Sequence, residues 1–245
     1  MFKSQKIFIL FSFCIIVYSY SKGQEKLEIP HIDYVVPFGV QLHEKDKHLI
    51  WYDDFNGEEK QYAEGGTLID ESVSFGKKGK SLLCFYEKGE KGMGGAKVFF
   101  GDAAGYPTKT VRRGEKFDEI YWRIYVKHES GWTGAPAKMS RATSLVNSNW
   151  AQAMIAHVWS GAGSSLTLDP VCGVDDGKVV TRSYNDFEKM KWLGNKPFSE
   201  FPIHATEESV YWVLVESRAK LNTPGKNDGI NQLWIDGAWN VKDVI

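Results

Sequence analysis

An all-β fold, two antiparallel sheets packed as a sandwich or jelly roll, is what this sequence predicts, and three observations predict it. From residue 49 onward, short segments rich in Val, Ile, Phe, Tyr and Trp recur between clusters of Gly, Asp, Asn and Lys, the texture of strands joined by turns. No long stretch keeps its apolar residues at a 3.6-residue period, so no substantial helix is expected. Aromatic residues make up 14% of the chain, with 9 Trp, and large aromatics suit pleated, half-buried surfaces.

Residues 1–21 read as a signal peptide. Lys3 and Lys6 supply a basic start, Ile7 to Val17 an apolar run too short to span a bilayer comfortably, and Ser19 and Ser21 the small residues of a cleavage site. A secreted or periplasmic protein is therefore expected, with no membrane attachment after cleavage; an uncleaved anchor is the alternative reading. Removing Lys3 and Lys6 leaves 28 basic against 31 acidic residues, a net −3, so no general field recruits nucleic acid. Residues 22–48 are polar and mixed, with His31, His43 and His48 scattered outside any metal-ligand spacing, and read as an N-terminal arm. The mature chain keeps two cysteines, Cys84 and Cys172; an oxidising compartment permits a disulfide, and two buried thiols fit as well.

Residues 49–245 read as one domain, since no repeat, low-complexity linker or composition break follows residue 49. Its clearest strand segments are "SLLCFYE" (81–87), "AKVFFG" (96–101), "EIYWRIYVKH" (119–128), "AQAMIAHVW" (151–159), "SSLTLD" (164–169), "VYWVLVESRAKL" (210–221) and "INQLWIDG" (230–237). Only "YNDFEKMKWLG" (184–194) has room for a helical turn or two.

Strand alternation sorts the side chains. In 119–128, Ile120, Trp122, Ile124 and Val126 share one face, and Tyr121, Arg123, Tyr125 and Lys127 the other. Trp212, Leu214, Glu216, Arg218 and Lys220 repeat an aromatic and charged face in 210–221. Such a face meets either solvent, with aromatics lying on Lys and Arg stems, or a charged, sugar-like ligand. The second charged strand enters a hairpin. Pro224-Gly225 is a turn pair, Asn227, Asp228 and Gly229 tolerate positive φ, and Asp236-Gly237 offers another tight turn.

Taken in order, "WRIYVKHESGW", "AKMSRATSL", "WAQAMIAHVWSG", "LDPVCG", "KWLG" and "LNTPGKNDGINQLWIDG" resemble the polysaccharide-lyase-like group of concanavalin A-like jelly rolls, near the family 14 and family 20 alginate and glucuronan lyases. The resemblance covers roughly residues 49–237, and "KLNTPGKNDG" and "LWIDG" are its most specific parts. It implies a concave sheet forming a groove for an acidic polysaccharide. In the resembling proteins further strands follow the "WIDG" hairpin; here the sequence ends at Ile245, so the expectation is a jelly roll lacking those closing strands.

Breaking a uronic-acid polymer by β-elimination requires a cation or donor to neutralise the C6 carboxylate, a base for the C5 proton and an acid for the leaving oxygen. Four residues are expected to carry that chemistry: Arg123 or Arg218 on the carboxylate, Tyr125 or His157 moving protons. Lys127, Lys138, Arg141, Gln152, Trp212, Glu216 and Lys220 are expected to bind substrate. His157 lies in the middle of an apolar segment, where a lone histidine is more often a hydrogen-bonded core residue than a base. Gln152 and His157 have opposite strand parity, so a regular strand cannot aim both at one groove.

Other chemistries find less support. Retaining glucanases of this fold carry a Glu-x-Asp-x-x-Glu strand, and that spacing does not occur; Asp118 and Glu119 are neighbours on opposite faces. Phosphate-loop, serine-hydrolase, zinc-protease and dinucleotide motifs are missing from the sequence. Asp169, Asp175 and Asp176 offer carboxylates to calcium at a sandwich edge, against the simpler reading of Asp176-Gly177 as a turn; otherwise no cofactor is expected. The expectation is thus a monomer acting on an acidic polysaccharide, either as a lyase or as a non-catalytic carbohydrate-binding protein.

Overall fold

The computed structural model describes residues 47–57, 62–63, 68–75, 79–86, 95–102, 109–129, 138–160, 165–193, 212–235 and 238–244, with backbone alone for 160 and 238–244. Residues 1–21, read above as a signal peptide, most of the expected N-terminal arm and the Asp236-Gly237 pair lie outside these residues. Strands dominate. The first four are β1 (Leu68–Asp70), β2 (Ser81–Leu83), β3 (Phe99–Phe100) and β4 (Thr110–Val111). Three long ones follow: β5 (Glu119–Val126), β6 (Lys138–Leu145) and β7 (Gln152–Ser160). Next come five short ones: β8 (Leu166–Leu168), β9 (Val171–Cys172), β10 (Val174–Asp175), β11 (Lys178–Val179) and β12 (Lys191–Trp192). Last are β13 (Val213–Lys220), β14 (Ile230–Ile235) and β15 (Ala238–Val244). Among the described residues the only helical element is a three-residue 3-10 turn, Phe187–Lys189, inside the segment with room for one.

Two antiparallel sheets are built from these strands, as the sequence predicts. The first runs β15-β14-β13-β5, and the second β12-β9-β7-β6 with β8 also on β7. Strands β8 and β9 lie along the same edge of β7, interrupted at Asp169-Pro170, where proline has no N–H to donate. Three ribbons complete the set: β1-β2, β10-β11 and the parallel pair β3-β4. The β10-β11 turn is Asp176-Gly177, with φ of 44° and 71°; two positive φ values in a two-residue loop suit Asp-Gly. In the β13-β14 loop, Lys226 N–H donates to Thr223 O at 2.8 Å across Pro224-Gly225, with Gly225 at φ 79°, and Asp228 accepts from both Thr223 N–H and Oγ1. Strand β15 is a strand beyond those read from the sequence.

The core lies between the sheets. Val213, Val215, Leu233 and Ile235 of the first sheet pack on Val158, Leu166 and Leu168 of the second, joined by Trp122, Ile124, Val126 and Met139. A fully buried Leu or Ile stabilises the fold by about 1.5–3 kcal/mol, so these residues hold the sheets together. Met154, Ala156 and Ala219 continue the core around Ile120, Trp122 and Ala142. Trp122 bridges both clusters, and its Nε1–H donates to Ser140 Oγ in the facing sheet at 3.0 Å. This fixes the faces: even-numbered residues of β5 and β7 and odd-numbered residues of β13 point inward. Arg123 and His157 therefore point outward, on opposite sides of the sandwich.

Candidate functional site

On the first sheet's outer face, the two charged strands adjoin: Arg123 pairs in register with Glu216, Tyr121 with Arg218, Tyr125 with Leu214 and Glu119 with Lys220. The alternation in β5 and β13 thus yields one shared face. Its two arginines are partnered by protein groups. Arg123 Nε donates to Glu216 Oε1 at 2.9 Å, and Arg218 donates to Glu119 at 2.6 Å and to Gln232 Oε1 at 2.8 Å. The Arg218 guanidinium lies 5.4 Å from the Tyr121 ring, whose hydroxyl donates to Glu119. That hydroxyl and Arg218 hold the Glu119 carboxyl below its ordinary range. Tyr125 is covered by Phe75, stacked at 4.0 Å, and Phe75 also meets Trp212 at 6.0 Å. Lys127 lies near the Asp70 carboxylate. The charged strand is one side of an ion-pair ladder whose rungs are partly exposed, each worth a few tenths of a kcal/mol to about 1 kcal/mol.

The second sheet's outer face is different in kind. Strand β6 turns Lys138 and Arg141 outward opposite Trp159 and His157 of β7, with a register shift between Lys138 and Ser140. His157 is fully buried. Its Nδ1 lies 3.0 Å from Asp169 O, and only Nδ1–H can make that hydrogen bond, which leaves the lone pair on Nε2. Nε2 has no hydrogen-bond partner among the described residues. Burial pushes the imidazole down to about 4, with Arg141 and Lys138 adding to the effect, so it is neutral at pH 7.

Arg141 meets the same region from β6. Its Nη2 donates to Tyr184 Oη, its guanidinium lies 5.3 Å from the Tyr184 ring, and its buried Nη1 has no acceptor among the described residues. Around them are aromatic rings: Trp159 at 4.8 Å and Trp192 at 6.1 Å from His157, and Phe187 at 5.7 Å from Trp192. Lys138 Nζ lies 5.2 Å from the Trp159 ring and 5.8 Å from that of Phe187. Trp192 and Tyr184 are 42% and 39% exposed, so both reach the protein surface. A cation, an exposed phenol, a buried neutral imidazole and an exposed indole thus gather on one side of the second sheet.

Of the residues expected to act together, the structure groups Arg123, Tyr125, Lys127, Trp212, Glu216, Arg218 and Lys220 about the first sheet's outer face, and Lys138, Arg141 and His157 on the second's. His157 does not share a surface with Arg123 and Arg218, because the packed core separates them. Gln152 is buried; its Oε1 accepts from Asn185 N–H at 2.8 Å, beside Tyr184. The irregularity between Ser144 and Leu145, opposite Gln152 and Met154, ends the simple parity count at this point. Sequence reasoning missed Tyr184 and Trp192. Both flank a turn in which Asn185 and Asp186 follow the tyrosine, and turn residues beside an aromatic are the signal that was there to read.

Cys84 and Cys172 are free thiols. Among the described residues there is no group of three or more His, Cys, Asp or Glu side chains placed to hold a metal ion, and no helix is long and apolar enough to cross a membrane. Comparison with known proteins gives no match: no protein-family model, no curated protein and no solved structure matches this chain.

Proposed function

We propose that this protein engages an acidic, uronic-acid polysaccharide across the outer face of the second sheet and cleaves it by β-elimination, within a sandwich we read as a jelly roll. One observation carries the reading. Among the described residues, the buried Arg141 Nη1 donor has no acceptor, and the neutral imidazole beside it has no partner for its Nε2 lone pair. A buried donor without an acceptor costs stability, and a carboxylate is the acceptor that a guanidinium fits best.

In this scheme Arg141, helped by Lys138, neutralises the C6 carboxylate and so makes the C5 proton acidic. His157 Nε2 takes that proton. The C5–H electron pair forms the C4–C5 double bond as the C4–O bond breaks, and Tyr184 O–H gives its proton to the departing oxygen. Tyr184 and Trp192 offer stacking faces to the rings. Secretion, expected from residues 1–21, would place the protein where such polymers occur.

One observation favours the second reading, a carbohydrate-binding protein without catalysis. His157 has no exposed surface, so its ring reaches a sugar only if the side chains packed on it shift. Incubation with alginate, glucuronan and other uronic polymers, followed by ultraviolet absorbance of the unsaturated ends, separates the two. Release of such ends supports the lyase, and saturable binding without release supports the binding protein. Neither result with any uronic polymer would refute both.

A further inference from the structure

We propose that Trp150 is a positioning residue that holds the Tyr184 phenol on Arg141, and that the β6-β7 hairpin turn is built to place it. The proposal rests on the assignment of Arg141 and Tyr184 above. Its starting point is a backbone outlier: Trp150 adopts φ 62°, a left-handed conformation that a bulky aromatic residue rarely takes. Such outliers persist only where the surroundings over-determine them.

Here the surroundings do so. Trp150 N–H donates to Asn147 O at 3.1 Å, closing the turn. The Asn147 side chain then accepts from Asn149 N–H at 3.0 Å and from Ala151 N–H at 3.1 Å, bracketing Trp150 on both sides. Val146 N–H donates to Ala151 O at 2.9 Å beneath them. The strained residue delivers its ring edge-on to Tyr184, with centroids 5.7 Å apart and planes at 83°. Phe99, edge-on at 5.9 Å, and Lys97 Nζ, 4.9 Å from the ring centroid, hold the indole from other sides.

Two residues further on, Gln152 completes the arrangement by accepting from Asn185 N–H, next to the tyrosine. Tyr184 is thus held through its ring by Trp150 and through its backbone neighbour by Gln152, both set by one turn. A turn serving only to reverse the chain would need no aromatic at positive φ, and glycine would be the unstrained choice there.

Carbon-13 labelling of tyrosine Cζ tests this in the whole protein without substrate, with the Tyr184 signal identified by its loss in Tyr184→Phe. In the parent, Arg141→Ala should move the Tyr184 signal because the phenol loses its guanidinium. In Trp150→Gly, which relieves the backbone, that response should fall several-fold, whereas Trp150→Phe, which keeps a ring, should retain it. Asn147→Ala should weaken the response in the same direction and Asn147→Asp, which keeps the acceptor, should not; this pair decides the matter if Trp150→Gly does not fold. An undiminished response in both Trp150→Gly and Asn147→Ala would overturn the proposal, as would a parent signal indifferent to Arg141→Ala. Because no polymer is present, a failed lyase assay leaves this result standing, and the reverse also holds.

Discussion

His157 should make the fold sensitive to mild acid, and the size of the effect follows from its environment. In the folded chain its ionisation is pushed from an ordinary value of 6.5 to about 4, chiefly by burial and further by the Arg141 and Lys138 cations. Between those two values the unfolded chain binds a proton that the folded chain refuses. Stability from this residue is therefore complete above about pH 6.5 and is lost as pH falls towards 4; below that both states are protonated and the loss stops. At about 1.4 kcal/mol per pH unit the total is about 3–4 kcal/mol. The half-buried carboxylates that also sit low, Glu119 beside the Tyr121 hydroxyl and Asp228 beside Thr223 N–H, withdraw their support only as pH falls below about 4.5. Urea unfolding of the parent and of His157→Gln at intervals from pH 7.5 to 4.5 isolates the histidine. A glutamine side chain does not ionise in this range, so the parent should lose roughly 2–3 kcal/mol more than the variant. Parallel pH profiles for the two proteins would refute the placement of His157 as a neutral, buried ring beside two cations.

Three further outcomes follow from the packing and the ion-pair ladder. An ideal Cβ on Gly173 would lie 2.1 Å from Gln152 O and 2.7 Å from Thr181 Cγ2, so Gly173→Ala must push the chain off β7; denaturation should show a loss of about 1–3 kcal/mol, and hydrogen exchange should show faster exchange at Gly173 N–H, which donates to Ala153 O at 2.7 Å. Leu233→Ala, at a fully buried position between the sheets, should cost about 2–5 kcal/mol in the same measurement. Arg218→Ala should cost no more than about 1 kcal/mol, because its Glu119 partner stays near the surface, and that cost should shrink as salt is raised.

Much of the fold was legible because strand parity is a local property. Ile120, Trp122, Ile124 and Val126 alternate with polar neighbours, and that alone assigns them to the core side. It also set Arg123 and Arg218 each opposite its strand's buried set, and the pairing of β5 with β13 then puts them on one face. Parity could not say which outer face belongs to which sheet. Arg123 and His157 are both outward-facing, yet the core stands between them, and only the pairing of β5 with β13 and of β6 with β7 reveals it. Neither could parity tell a substrate contact from a structural one. Glu216 and Glu119 neutralise the very arginines that looked ready for a carboxylate, and register, not sequence spacing, brings them together. Tyr184 was hidden for another reason: it reaches Arg141 from a loop 43 residues away, held by Trp150 and Gln152 through contacts with no sequence period. The resemblance in "KLNTPGKNDG" and "LWIDG" covers a turn and a strand of the first sheet, and so falls away from the surface now favoured.

The central claim is that acidic glycan meets the second sheet's outer face and not the charged ladder of the first. Calorimetric titration of uronic-acid oligosaccharides into the parent, Arg141→Ala and Arg218→Ala tests it most directly. Loss of a charge-assisted hydrogen bond to the carboxylate should weaken binding to Arg141→Ala by about 1.5–3 kcal/mol, on the order of tenfold to a hundredfold, while Arg218→Ala binds as the parent does. Parent-like binding by Arg141→Ala together with a large loss in Arg218→Ala would contradict the claim and return the site to the first sheet.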